Sequence, residues 1–139
     1  MRFWDSSALV PLVMEQGASN QMLKVSATDK IKAYWWGSRV ECASALARLE
    51  REGADPDKIE AAFRNLEGML VAGGEVMPSE SIQTNAIRIL RMHPLRAGDA
   101  LQLAAAFHAS EGHPPSLEFV CLDARLCLAA AKEGFRVLP

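Results

Sequence analysis

No stretch of this chain approaches the roughly 20 consecutive apolar residues that a membrane-spanning helix requires. The opening Met1-Arg2-Phe3-Trp4-Asp5 sets a carboxylate where a secretory leader keeps an unbroken apolar segment, so the expected location is cytoplasmic, away from membranes. Cysteine is scarce. Cys42, Cys121 and Cys127 are odd in number, none is spaced as C-x-x-C, and no histidines lie near enough in sequence to complete a zinc set. A disulfide framework and a zinc finger are thereby excluded, and each thiol, among apolar neighbours, reads as a small hydrophobe. Excess charge is missing too: 15 basic against 17 acidic residues leave a net charge of −2, so bulk electrostatics do not mark a nucleic-acid binder. Four acids gathered in one site would lower that total while a few nearby arginines still gripped phosphate. Repeats, low-complexity tracts and linkers are absent, and 139 residues, half of them apolar, suit one core, a single domain over 1–139.

What is present is an alternation of short β-like runs with helical ones. This predicts an α/β fold, a layered sandwich with a central, mainly parallel sheet of about four to five strands flanked by helices. Strands are expected at Arg2–Trp4, Lys32–Trp36, Glu75–Met77, Glu118–Leu122 and Phe135–Leu138. Helices are expected from Ser6 to Gln16, with Pro11 a potential kink, then over Ala18–Ala27 and Arg39–Arg51. Asp55-Pro56-Asp57 reads as an N-cap, a proline at the first helical position and an acid in the first turn. The helix it opens sets Ile59, Phe63, Leu66 and Leu70 on one face, and Gly73-Gly74 ends it. A helix carrying Ile82, Ala86, Ile89 and Leu90 follows Pro78-Ser79. The run from Asp99 to Ser110 is apolar on nearly every face and should be the most buried helix, and Ala124–Glu133 the last.

Four carboxylates fall at special places on this scaffold. Asp5 and Asp123 each directly follow a strand, at the sheet edge where open α/β proteins bind ligands. Glu41 lies in the first turn of the helix after the second strand, and Asp99 opens the buried helix. Each also has a purely structural reading. Asp5, Asp99 and Asp123 could cap helices, and Ser38-Arg39-Val40-Glu41 fits a capping box in which Glu41 reaches back to Ser38. As a set they point further, because several ionised acids held together need a cation, and oxygen-only ligands suit Mg²⁺ or Mn²⁺. Such ions can activate water against a phosphodiester.

The residues around these acids resemble the PIN-domain family, and more narrowly its VapC-type toxin ribonucleases. Phe3-Trp4-Asp5-Ser6-Ser7-Ala8-Leu9-Val10 resembles the first motif, and Ser38-Arg39-Val40-Glu41-Cys42-Ala43-Ser44-Ala45-Leu46 the second. Leu95-Arg96-Ala97-Gly98-Asp99-Ala100-Leu101-Gln102-Leu103-Ala104-Ala105-Ala106 is the strongest match. Phe119-Val120-Cys121-Leu122-Asp123-Ala124-Arg125-Leu126 resembles the C-terminal motif, and the four occur in order across the whole chain. The resemblance implies a PIN-like three-layer sandwich with the acids in a groove at one sheet edge. It also implies metal-dependent hydrolysis of RNA, with Mg²⁺ or Mn²⁺ bound directly by Asp5 and Asp99, and Glu41 and Asp123 completing the site directly or through water. Ser7, and secondarily Ser6, would orient Asp5. Relatives of this type pair with an antitoxin protein and commonly form homodimers, so both partners are expected here.

Arg96, Arg39 and Arg125 lie close in sequence to the acids and are candidate phosphate contacts, solvated surface arginine being the alternative. Trp35-Trp36 invites base stacking, but adjacent strand residues face opposite ways, so at least one belongs to the core. His93, His108 and His113 have neither metal nor triad spacing. Apolar residues in excess of one face, including Met69, Val71 and Met92, suggest a partner contact on the two central helices. Two other functions remain open: a binding module whose acids only cap helices, and a Mg²⁺-dependent phosphatase with Asp5 as nucleophile. The second often needs another acid two residues on, where Ser7 stands.

Overall fold

Alternating apolar residues on short strands can bury both faces of a sheet, and here they do. In a computed structural model covering residues 1–139, the strands are β1 (Arg2–Trp4), β2 (Lys32–Trp35), β3 (Gly74–Val76), β4 (Glu118–Val120) and β5 (Arg136–Leu138). The helices are α1 (Ser6–Val13), α2 (Ser19–Ala27), α3 (Ser38–Arg51), α4 (Pro56–Val71), α5 (Glu80–Met92), α6 (Ala97–Ala109) and α7 (Ala124–Lys132). The five strands form one parallel sheet in the order β3-β2-β1-β4-β5.

Phe3, Ala33, Trp35, Val76 and Phe119 point to one face, where α5, α6 and α7 cover them with Ile82, Ile89, Leu103 and Leu126. Trp4, Tyr34 and Val120 point to the other, against α1, α3 and α4 with Leu9, Leu46, Leu66 and Leu70. The result is the expected three-layer sandwich. Phe3 and Phe119 are direct register partners across β1 and β4, and their rings stack 5.5 Å apart, which ties the two central strands together.

Local chemistry explains most boundaries. Asp55 caps α4 by accepting from the Asp57 N–H at 2.9 Å, with Pro56 at the first helical position as expected. Ser79 caps α5 by accepting from Ile82 N–H at 3.2 Å. Gly73 is required for a close approach, since a Cβ there would lie 2.7 Å from the Lys32 carbonyl oxygen. Gly134 takes φ 98°, a left-handed value that turns the chain from α7 into β5.

Several expected boundaries move. α1 closes at Val13 and not at Gln16, because Met14 is already extended. Pro11 sits within α1 without ending it. β2 stops at Trp35; Trp35 is core and Trp36 is 49% exposed, as strand alternation requires of at least one of them. β3 begins one residue early, at Gly74, and β4 stops at Val120, leaving Cys121 and Leu122 as an irregular lead to Asp123. α6 begins at Ala97, so Asp99 is its third residue and not its cap. α6 is, as expected, buried on most sides from Ala100 to Ala106.

Candidate active site

β1 connects onward to β2 on one side and β4 to β5 on the other, so the strand order reverses between the central neighbours β1 and β4. A crevice opens at the carboxyl ends of such strands. Asp5 follows β1 immediately, and its N–H extends the ladder to the Val120 carbonyl at 2.9 Å. Its carboxylate caps α1: Oδ2 accepts from the Ser7 N–H at 3.0 Å and from the Ser7 hydroxyl. The Ser7 hydroxyl in turn accepts from the Leu122 N–H at 3.0 Å, and the Cys121 thiol lies 3.7 Å from Oδ2. No protein donor reaches Oδ1, which leaves one carboxylate oxygen for a ligand.

Asp5 is only 3% exposed, and burial pushes its pKa up to about 6. The two Ser7 hydrogen bonds pull it down, while the charges of Glu41 and Asp99 add to the rise. The Asp99 carboxyl is likewise raised, first by burial and then by Asp123, with Arg96 opposing both. These are the marks of like charges crowded in a poorly solvated place.

Glu41 does not form the capping box its spacing allows. Gly37, not Ser38, precedes the first turn of α3, and Ser38 is buried inside the helix start. The Glu41 carboxylate instead accepts from the Ser6 hydroxyl at 2.7 Å and from the Gln102 amide at 3.2 Å. Ser6 therefore supports Glu41 and not Asp5; of the two serines expected to orient Asp5, Ser7 alone does so. Asp123 caps α7, accepting from Leu126 N–H at 2.8 Å, and is otherwise exposed.

The four acids, together with Ser6 and Ser7, line one cleft of about 310 Å³. A second cleft of about 610 Å³ meets it at Asp99 and Asp123 and is lined by Arg96 and Arg125. Arg39 is in neither. It turns away along α3 to an ion pair with Glu67 of α4, which corrects its place among the phosphate contacts. Among the cleft's residues, Arg48 was not anticipated. It lies seven positions after Glu41, hence on the same helix face, and that spacing was readable in the sequence. Gln102 was missed as well. It lies three residues after Asp99, is fully buried, and donates to Ser38 Oγ at 2.9 Å as well as to Glu41. The signal available in the sequence is a lone amide within the apolar run Ala100–Phe107. Its Oε1 is buried without a partner, because Glu41, being acceptor-only, takes the amide's NH₂ end.

All three cysteines are free thiols packed among the core residues, and burial pushes the Cys42 thiol up to about 12. The histidines stay away from the cleft; His93 pairs with Glu133 at 2.7 Å. No three His, Cys, Asp or Glu side chains close on a common point tightly enough to hold an ion by themselves. The donors are nevertheless all hard oxygens. A cation that keeps much of its own water and takes only one or two carboxylates, as Mg²⁺ does, suits such a set.

An α/β sandwich with an acid-lined cleft at its switch point is the class defined so far. No family model matches the chain, and no curated protein matches it in sequence. Solved structures do match in three dimensions. The Mycobacterium tuberculosis toxin VapC20, described as sarcin-ricin loop cleaving, superposes with TM-score 0.68 at 15% identity over 100% of both chains. FitAcB from Neisseria gonorrhoeae matches with TM-score 0.68 at 15% identity over 100% of this chain and 97% of its own. A toxin–antitoxin complex from Klebsiella pneumoniae gives TM-score 0.64 at 14% identity, over 90% and 88%. The chain thus has the PIN-like α/β fold that its four motifs resemble.

Proposed function

We propose that this protein is a metal-dependent ribonuclease and the toxin of a toxin–antitoxin pair. The observation that carries the reading is the convergence of Asp5, Glu41, Asp99 and Asp123 on one cleft at the switch point. The fold shared with a toxin described as cleaving the sarcin-ricin loop supports it.

Asp5 and Asp99 are the direct ligands of Mg²⁺ or Mn²⁺ in this reading, with Glu41 and Asp123 completing the shell directly or through water. Bound there, the cation supplies charge neutralisation at the phosphate and lowers the pKa of water. The protein's own part is positioning. Ser7 fixes one oxygen of Asp5 and leaves the other toward the cleft. Ser6 and Gln102 hold Glu41 from two helices, so its carboxylate does not collapse onto the α3 N-terminus. Attack of water on phosphorus breaks the P–O3′ bond and leaves a 5′-phosphate and a 3′-hydroxyl, since the 2′-hydroxyl is not the nucleophile. A phosphatase using Asp5 as nucleophile is disfavoured by the depth of Asp5 and by Ser7 in place of a second acid.

The cognate antitoxin and a second copy of the chain are the proposed protein partners. Val71, Ile87, Leu90 and Met92 of α4 and α5 are exposed apolar residues available for such contacts. No helix is long and apolar enough to cross a membrane, and a cytoplasmic site of action is part of the proposal.

The test is cleavage of RNA by the purified protein with Mg²⁺ or Mn²⁺, beside an EDTA control and the Asp99→Asn variant. Cleavage lost in both controls is expected. Equal cleavage by wild type and variant, with or without metal, or none on a broad panel of structured and unstructured RNAs, would sink the proposal.

A further inference from the structure

Four carboxylates repel the substrate they are meant to cut, so a polyanion needs cationic groups of the protein close by. The ion pairs of the chain show which arginines are free to serve. Arg2 and Arg136 are spent on Glu118, Arg39 on Glu67 and Arg88 on Glu133. Arg48, Arg96 and Arg125 are exposed and pair with no acid in this way, and all three line the clefts around the carboxylates.

Their arrangement is directional. The two clefts join at Asp99 and Asp123, forming one trough with the acids in the middle. Arg96 and Arg125 belong only to the α6–α7 part, and Arg48 only to the part built on α1 and α3. Along α3, Glu41, Ala45 and Arg48 follow one another at spacings of four and three, a single helix stripe facing the cleft. Arg48 therefore lies about 10 Å along the helix axis from Glu41. That offset suits a neighbouring phosphate along the strand, and the small Ala45 between them lines the cleft on the way.

We propose that Arg48 binds an RNA backbone phosphate on one side of the scissile bond while Arg96 and Arg125 bind phosphates on the other. The strand is thus drawn across the carboxylates between two basic clamps. This inference rests on the ribonuclease reading and adds to it the path of the substrate. A guanidinium with no ion pair to break is free to turn to phosphate, and its planar fork matches phosphate oxygens bidentately. Phosphate contacts position the strand without reading its bases, so Arg48 acts on every sequence alike.

The experiment measures binding of a fluorescein-labelled single-stranded RNA of mixed sequence, by anisotropy over a series of salt concentrations. It is done in the full-length Asp99→Asn background, so that the RNA stays intact. Arg48→Ala is compared with Arg48→Lys and with Arg51→Ala, which removes the same charge from the exposed last turn of α3 outside the cleft. Each lost phosphate contact should lower the slope of log K against log salt by about 0.7. Arg48→Ala should show that loss, Arg51→Ala should not, and Arg48→Lys should recover most of it. Arg96→Ala combined with Arg125→Ala should lose about twice as much. In the cleaving protein, Arg48→Ala should raise KM about 5- to 10-fold and leave kcat nearly unchanged. If Arg48→Ala matched Arg51→Ala in slope and in KM, the clamp would be refuted. Metal- and Asp99-dependent cleavage by the wild type would leave the ribonuclease reading standing in that case, and its absence would remove both.

Discussion

Replacing Asp5 by asparagine tests the physical state of the site without any substrate. The carboxyl sits 3% exposed, and its pKa rises from 3.8 to about 6, chiefly through burial. A displacement of that size corresponds to about 3 kcal/mol against the ionised form in the folded, metal-free chain. The folded chain then holds the Asp5 proton more tightly than the unfolded chain between pH 3.8 and about 6. Stability from this group therefore falls as pH rises through that window and is level above it. Asparagine stands in for the neutral acid and removes that penalty; the hydrogen bonds from Ser7 to the ionised carboxylate are already part of the net shift. With EDTA present, Asp5→Asn should be the more stable protein by about 3 kcal/mol at pH 8, a Tm higher by about 10 °C. Near pH 4, where the folded wild type already holds that proton, the gap should shrink to about 2 °C. Differential scanning calorimetry across pH 4 to 8 reads this directly. Mg²⁺ added at pH 8 should raise the wild-type Tm and leave that of the variant nearly unmoved. A Tm difference of constant sign and size across the pH range would refute the claim that burial of a charge governs this site.

Two further outcomes follow from named contacts. Gln102→Leu leaves the buried Ser38 hydroxyl without its donor and Glu41 held by Ser6 alone. Cleavage should drop about 10-fold with a higher Mn²⁺ half-saturation, and an unchanged metal dependence would show that Gln102 does not position Glu41. Glu133 is desolvated, which raises its carboxyl, but hydrogen bonds from Arg88 and His93 outweigh this and bring it below 4.5. Its contribution is therefore complete above that pH and lost as pH falls through the lowered pKa. Glu133→Gln should cost about 1–2 kcal/mol at pH 7, read from urea midpoints, and the gap should narrow towards pH 3.

The positions of the four acids were legible because each sits at a junction between elements that the chain marks locally. Asp5 interrupts an apolar strand exit, Asp123 ends another, and Asp99 opens a run with hardly another polar residue. Motif order across the whole chain carried the PIN-like fold, although sequence identity to the three solved structures named above is only 14–15%. The side chains that hold the acids were less legible. Ser6 and Ser7 are neighbours with the same hydroxyl, and only the turn into α1 sends one to Glu41 and the other to Asp5. Arg39 was favoured by nearness to Glu41, yet two residues along a helix is about 200° around it, so it meets Glu67 while Arg48 meets the cleft.

By itself the sequence determined the alternation of strands and helices, the two-sided burial of the sheet, and the four places where a carboxylate could stand at an element's start. These depend on periodicity and capping, which act over a few residues. Tertiary structure decided that β1 and β4 are neighbours, that α3 and α6 approach closely enough for Gln102 to reach Glu41, and that Arg48 faces the acids. Such pairings join residues tens of positions apart, and packing of the two cores on the sheet selects them, a choice no local pattern of residues contains.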